Sequence, residues 1–566
     1  MGSRGYDRAA DVNLTPEPAY AGGARAGALA WIADTRRELP IRIWLVPLLI
    51  AAVYLVVFVV QLPRDITQVA WDSDYASGFT MPETLVRTGT GGNTVLASAG
   101  QWVPLWFGLL TARLPLHREL WEIAPTLLFI ATALTVGWSV AQLAGRRAAL
   151  LAVLIGLVAS PLALAFFIAA VAHNTVYPCT AALGAYLIWL TRADGRRALA
   201  TMLVPPALGV LVGACLGSDL LLAATAVIPL AITSALAALR AQRRSRLVAL
   251  SGLATVAVAI PVAKLTTAIM HSLGYLTLPA PAKAVALSEL PARAKLLFKG
   301  LKILFNGYLG TERPGTLHTP LGFASDVVMS AALLALALTG ILTTARLIGA
   351  ALRRRGGEQA PTELARSLHI VYWSASAACA CGAFWIAGEG PTTTHESYYA
   401  TVIFSVAAVI PLLLSTGALA RWLIPAAAAV YFAASLAGLG EDYVNVSAAL
   451  ARSAKPLVRI AVASHVQVGY SNWGDSSGLT WGTHGRVIVR PLVECAGPQG
   501  TELCPGFQAY VPSWYVPRQR RTFLLIDADE REIITPPANL GKPLAVYAFG
   551  SMRMYIYPYD IAARLG

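Results

Sequence analysis

Charge is what this chain has least of. Only 13% of its 566 residues are charged, whereas soluble globular chains carry about 25%. With 56% hydrophobic residues and a mean hydropathy of +0.59, a single water-soluble domain and a disordered chain are both excluded. Six cysteines in this length are too few for a disulfide scaffold. Lysine is scarcer than the charge total suggests, with seven Lys against 37 Arg. No Walker loop, no GxGxxG after a strand, no HExxH and no GxSxG occurs. Residues 1–30 lack the short apolar stretch and small-residue cleavage site of a secretory signal, so 1–40 read as a polar cytoplasmic tail.

What is present is apolar sequence in long runs. The first is Trp44–Val60, behind Arg36, Arg37 and Arg42. Ten more follow at about 123–143, 148–170, 175–191, 198–216, 220–238, 247–270, 326–350, 367–387, 399–417 and 420–438. About 20 apolar residues cross a bilayer's hydrocarbon core. The formal charge of +14 suits either nucleic-acid binding or a membrane protein with basic cytoplasmic loops. The positions of the charges decide. Arg146-Arg147, Arg192 with Arg196-Arg197, Arg240 to Arg246 and Arg353 to Arg355 all fall on one side when eleven spans are counted. Short Arg-dense loops stay cytoplasmic. The sequence therefore predicts a mainly α, polytopic membrane protein without a nucleic-acid partner. Residues 41–440 form its membrane domain, and the loops 62–122 and 271–325 lie outside.

From about Glu441 the character changes, with Trp and Tyr among Gly, Pro and β-formers. Gly485–Leu492, Arg521–Ile526 and Met552–Tyr559 read as short strands, giving a small β-rich exoplasmic domain over 441–566. Cys495 and Cys504, in a Gly/Pro-rich stretch of that domain, are expected to form a disulfide in an oxidising compartment. Thr90-Gly91-Gly92 reads as a plain loop.

The chemistry-bearing residues sit in the outer segments. Trp71-Asp72-Ser73-Asp74-Tyr75 opens the first long loop. Asp72 and Asp74 cannot share one helix face, so at least one is left to face a cleft between loop and membrane. Such a carboxylate can act as general base toward a hydroxyl; a solvated loop is its plainer reading. Lys295, Lys299 and Lys302, with Lys264 and Lys283 upstream, gather most of the lysine in one region. Their spacing puts them on one face of a helix over Glu289–Leu309, opposite Leu297, Leu301, Leu304 and Tyr308. A basic stripe on the outer side runs against the positive-inside bias, and a phosphate-bearing lipid is the simplest partner. Snorkelling to ordinary phospholipid is the alternative. His173, Asn174, Asp219, His395, Glu396 and Tyr398 are further polar residues mapped to the same leaflet, Asp219 reading first as a helix cap.

This layout resembles the GT-C superfamily of membrane glycosyltransferases: a first span, an acidic outer loop, many further spans, an outer amphipathic helix and an exoplasmic tail. Trp71–Leu85 resembles the acidic segment of bacterial members, and His173-Asn174-Thr175-Val176-Tyr177-Pro178 the polar break before their fourth span. Gly469–Trp473, Arg486–Pro491 and Met552–Asp560 resemble the tails of actinobacterial members. The resemblance implies a plasma-membrane enzyme with a cytoplasmic N-terminus and a periplasmic C-terminal domain. It would take sugar from a polyprenyl-phosphate donor to a cell-envelope glycan or glycolipid. Asp74, or else Asp72, would be its catalytic acidic residue, the general base, and Lys295, Lys299 and Lys302 its phosphate-binding groups. Glu396-Ser397-Tyr398-Tyr399 stands where some members have an Arg-Tyr pair. Some members bind a divalent metal; the carboxylates here are too sparse to assign one. A flippase of lipid-linked sugars and a non-catalytic assembly protein are the rival expectations.

Overall fold

The computed structural model describes residues 41–69, 73–88, 94–96, 102–168, 172–192, 198–240, 242–277, 284–306, 319–352, 360–387, 396–439, 445–497, 500–507, 509–528, 533 and 535–566. Every apolar run expected from the sequence is helical, as backbone groups without water partners must bond within their own segment. In chain order the helices of this part are α1 (Ile41–Val69), α2 (Ser73–Thr88), α3 (Trp102–Thr111), α4 (His117–Ala144), α5 (Arg146–Leu157), α6 (Pro161–Ile168), α7 (Val176–Arg192) and α8 (Ala198–Ser218). They continue as α9 (Ile228–Ala238), α10 (Arg243–Ser272), α11 (Leu290–Asn306), α12 (Pro320–Leu352), α13 (Pro361–Ile386), α14 (Val402–Val409) and α15 (Ala418–Leu439). Among the described residues seven helices are long and apolar enough to cross a membrane, or eight with one bent pair.

That bent pair corrects one expectation. The run 148–170 is two helices, α5 and α6, meeting at 87°. Pro161 opens α6, where a missing N–H costs nothing. A second departure is the close seam between α8 and α10. Gly209, Gly213 and Gly217 recur every four residues on α8, and a Cβ on Gly213 would stand 2.6 Å from the Ala259 carbonyl oxygen. Small residues at this spacing let two backbones meet. The seam ends at Gly217-Ser218-Asp219.

Arginines mark one end of the bundle. Arg192 at the end of α7 donates to the Gln142 carbonyl and side-chain oxygens near the end of α4. Arg366 in α13 donates to the Leu412 carbonyl (2.7 Å) and Ser415 Oγ (3.0 Å). From this shared end the 17-residue α7 rises about 26 Å and the 28-residue α4 about 42 Å at 1.5 Å per residue. The far end of α7 thus lies in a recess.

The two long connecting segments meet at that far end. Strand β1 (Thr94–Leu96) pairs in parallel with β2 (Tyr275–Thr277), and Val95 bridges to Tyr510 of the C-terminal region. Met81, Leu85, Trp102, Leu105, Met270, Val511 and Trp514 pack beneath them as one apolar cluster.

The C-terminal region holds a six-stranded sheet, with strands β3 (Val468–Ser471), β4 (Ile488–Gly497), β5 (Gly500–Pro505), β6 (Thr522–Asp527), β7 (Ala545–Phe549) and β8 (Met552–Tyr557) in the order β5-β4-β3-β6-β8-β7. The region carries a β-sheet as expected, and helices pack against that sheet. Strand β3 runs parallel to both β4 and β6, which requires crossovers. Helix α17 (Trp473–Gly482) supplies one, capped by the Asn472 side chain accepting from Asp475 N–H at 2.9 Å. Helix α16 (Asn445–Ala463) lays Leu457 and Ala461 under Val489, Phe523 and Met554. Cys495 and Cys504 are disulfide-bonded as expected, across the β4–β5 hairpin rather than within a loop.

Candidate functional site

The turn Gly217-Ser218-Asp219 is where the far end of the bundle is organised. Asp219 is buried and its Oδ1 accepts the Leu221 N–H at 2.9 Å, the expected cap. Its other oxygen, Oδ2, lies 2.6 Å from His173 Nδ1. An ionised carboxylate only accepts, so the proton between them belongs to Nδ1 and the carboxylate fixes the imidazole's orientation. His173 sits in the short 3-10 turn Ala172–Thr175 at the start of α7. Its ring meets that of Tyr398 at 5.6 Å, from the 3-10 turn Glu396–Tyr399. Sequence reasoning placed His173, Asn174, Asp219, Glu396 and Tyr398 on one leaflet; the structure brings His173, Asp219 and Tyr398 into contact and Asn174 and Glu396 beside them.

Ser218, unremarked in the sequence, ties the turn to its surroundings. Its Oγ accepts the Val103 N–H of α3 at 3.0 Å. Between α3 and α4 lies a cavity of about 460 Å³ walled by Val103, Phe107, Trp121, Pro125 and Leu128 and ending at Asn174 and Thr175. It is apolar except at that end. Thr175 Oγ1 and the buried Tyr177 hydroxyl, next along α7, find no hydrogen-bond partner among the described residues. A buried hydroxyl left unpaired costs about 1–3 kcal/mol.

The basic helix forms as expected, over Leu290–Asn306. Leu297, Leu301 and Leu304 face the bundle, while Lys295, Lys299 and Lys302 are exposed. Tyr308, the fourth member of the expected apolar face, lies outside the described residues. One lysine is already engaged, since Lys302 Nζ stands 3.7 Å from Asp326 Oδ2 on α12. The residue that joins α11 to the polar centre is Arg293, which the lysines hid in the sequence. It is buried, lies 4.4 Å over the Phe384 ring, and donates to the Phe384 and Ala387 carbonyls at 2.8 and 2.6 Å. Those carbonyls close α13. Phe384 in turn packs against Tyr399, adjacent to Tyr398.

Asp72 lies outside the described residues. Asp74 lies in the first turn of α2, and its side chain is outside what the structure describes. His395, Lys283 and Thr90-Gly91-Gly92 lie outside too. Further along, α2 packs on the C-terminal region, with Thr80 Oγ1 donating to Ser477 Oγ at 3.3 Å. A polar cavity of about 140 Å³ separates them, lined by Glu83, Arg87, His484, Arg490 and Trp514. At its edge Arg118 of α4 lies 4.2 Å over the Trp481 ring and donates to His484 Nδ1 at 2.6 Å. Burial first, and then the charges of Arg118 and Arg486, hold the His484 pKa below its ordinary value. Among the described residues no three His, Cys, Asp or Glu side chains converge as a metal site.

The chain matches no protein-family model, no curated protein and no solved structure.

Proposed function

We propose that the chain is an inverting membrane glycosyltransferase that moves a sugar from a polyprenyl-phosphate donor to a cell-envelope glycan or glycolipid. The observation that carries the reading is the junction at residues 173–175. There Asn174 and Thr175 line one end of an apolar cavity, and the His173–Asp219 pair lies next to them in the chain. On the expected count of eleven spans the arginine end would be cytoplasmic and the disulfide-bonded region outside, in keeping with the positive-inside rule and with where disulfides persist.

In this reading the lipid lies along the cavity between α3 and α4, its phosphate at Asn174, Thr175 and His173. The helix that carries Lys295 and Lys299, α11, packs on the turn Glu396–Tyr399, whose Tyr398 meets His173. The acceptor approaches from the cleft between α2 and the C-terminal region, with Glu83, His484 and Trp514 as its polar and aromatic lining. Asp74, or Asp72, takes the proton from the acceptor hydroxyl. The oxygen attacks the anomeric carbon, and the bond to the phosphate oxygen breaks. The leaving phosphate is already anionic, so cations suffice to stabilise its growing charge and no general acid is needed. One displacement inverts the anomeric centre.

The test uses Asp74→Asn and Asp72→Asn in membranes supplied with radiolabelled polyprenyl-phosphate sugars. Transfer should fall at least 100-fold in one of them. Undiminished transfer in both removes the carboxylate assignment. Translocation of the labelled lipid without transfer replaces the enzyme with a flippase.

A further inference from the structure

Helix α3 is apolar throughout but only ten residues long, a rise of about 15 Å, half the thickness of a hydrocarbon core. It cannot cross, and the chain turns back through residues 112–116 into α4. Hydrogen bonds fix that turn. Thr111 Oγ1 donates to the Phe107 carbonyl at 2.7 Å and lies 2.8 Å from His117 Nδ1. The Leu114 N–H donates to the Thr111 carbonyl at 2.7 Å, and the His117 N–H to the Leu114 carbonyl at 3.2 Å. What the turn presents outward is leucine: Leu110, Leu114 and Leu116 are 77%, 49% and 58% exposed.

The helix that follows shows what covers them. Leu116 opens the first turn of α4, its carbonyl accepting the Leu120 N–H at 2.9 Å. Leu116, Ile123, Leu127, Leu134 and Trp138 are all exposed, and their spacings of seven, four, seven and four keep to one helix face. This is the open face of a helix long and apolar enough to cross a membrane. Trp138 and Leu116 are 22 residues apart, about 33 Å at 1.5 Å per residue, against about 30 Å of hydrocarbon. Trp138, near the arginine end, suits one head-group level, which puts Leu116 at the other. Arg113 and Glu119, both exposed beside the tip, are charges suited to that boundary.

We propose that the α3–α4 hairpin is seated in the leaflet opposite the arginine end, with Leu110, Leu114 and Leu116 among acyl chains and Arg113 among head groups. The partner is bilayer lipid, because the tip continues the face that lipid already solvates on α4. Leu127 both lies on this face and lines the cavity between α3 and α4, so that side of the cavity meets hydrocarbon. The seat rests on α4 crossing a bilayer and not on the transfer reaction.

In the test, the full-length protein carries a nitroxide on Leu114→Cys, Leu116→Cys or Leu134→Cys, in vesicles of phosphatidylcholine and phosphatidylglycerol. Electron paramagnetic resonance reads the label's collisions with oxygen, which concentrates in hydrocarbon, and with a water-soluble nickel chelate. The signal of the unsubstituted chain, with free thiols at Cys179, Cys215, Cys379 and Cys381, is subtracted. The oxygen-to-nickel ratio should exceed one at the tip and be higher still at Leu134. Leu114 and Leu116 are both exposed, so either serves if the other variant does not fold. A ratio below one at Leu134 denies that α4 crosses the bilayer, and the seat falls with it. A high ratio at Leu134 with a ratio below one at the tip overturns the seat alone. Few collisions of either kind at the tip overturn it in favour of a second copy or another protein.

Discussion

At one end of the bundle Arg192 and Arg366 donate to main-chain carbonyls of neighbouring helices; at the other, His173 and Asp219 pair with each other. Both arrangements satisfy buried or half-buried polar groups, but they leave different things over. A guanidinium has five donors and never loses its charge, so an arginine that caps a helix end still offers donors to a phosphate. A His–Asp pair instead holds an imidazole in one fixed orientation. The arginine end is thus suited to anchoring and the opposite end to chemistry. The charge difference follows helix length as well, because short α7 stops within a recess where water is limited and a lone charge would be costly.

The sharpest way to break this comparison is to strike each end in turn. His173→Ala and Asp219→Asn should each lower sugar transfer at least 100-fold. Arg192→Ala, at the other end, should leave it within about 3-fold. Comparable losses at both ends would show that the arginines act on more than anchoring. Next in size is Gly213→Leu. Its new side chain would start 2.6 Å from a backbone oxygen of α10, and neither backbone can retreat while Gly209 and Gly217 hold the same seam. Overpacking costs about 1–3 kcal/mol, so the detergent-solubilised variant should unfold well below the wild type. The turn holding Asp219 should lose its geometry too. A normal Tm would mean that the seam is not tight.

The arginine end was readable in the sequence because charge counting survives any detail of packing. That His173, Asp219 and Tyr398 share one end of the bundle was readable for the same reason. Their contact was not, since it depends on where the G-x-x-x-G-x-x-x-G stripe at 209, 213 and 217 sets α8 against α10. The break in α5–α6 was hidden because Pro161 sits within continuous apolar sequence. The C-terminal strands showed through their β-formers, yet the parallel pairing of β3 with β4 and β6 did not, as period-two alternation carries no information about partners. Arg293 was masked by its neighbours: three exposed lysines drew the eye to one face of α11 while the structural cation sits on the other.

A smaller contrast lies within the lysines themselves. Lys302 is 3.7 Å from Asp326, whereas no carboxylate lies within ion-pair distance of Lys295 or Lys299 among the described residues. Exposed pairs are worth about 0–1 kcal/mol, enough to divert Lys302 from a ligand. Lys295→Gln and Lys299→Gln should therefore raise the KM for the lipid donor by about 10-fold, and Lys302→Gln by about 2-fold, with kcat little changed. Equal effects at all three would make the stripe a general attraction to anionic membrane.

The smallest effect expected concerns how the C-terminal region is held on the recess. Arg118 can donate to His484 Nδ1 only while that nitrogen carries no proton, and burial with the charges of Arg118 and Arg486 keeps the folded-state pKa lowered. Released from this contact, the imidazole returns to about 6.5. The released state therefore takes up the proton first as pH falls. The contribution to docking is complete above about 6.5 and is lost as pH drops through that value toward the lowered pKa of the docked form. Hydrogen exchange at the α17–β4 junction, followed from pH 7.5 to 5 after correction for intrinsic rates, should show protection declining on the acid side. His484→Gln, which cannot take up that proton, should flatten the dependence. A profile that stays steep in His484→Gln would assign the acid sensitivity to another group, leaving Arg118 over Trp481 as one of the contacts that join the two regions at every pH.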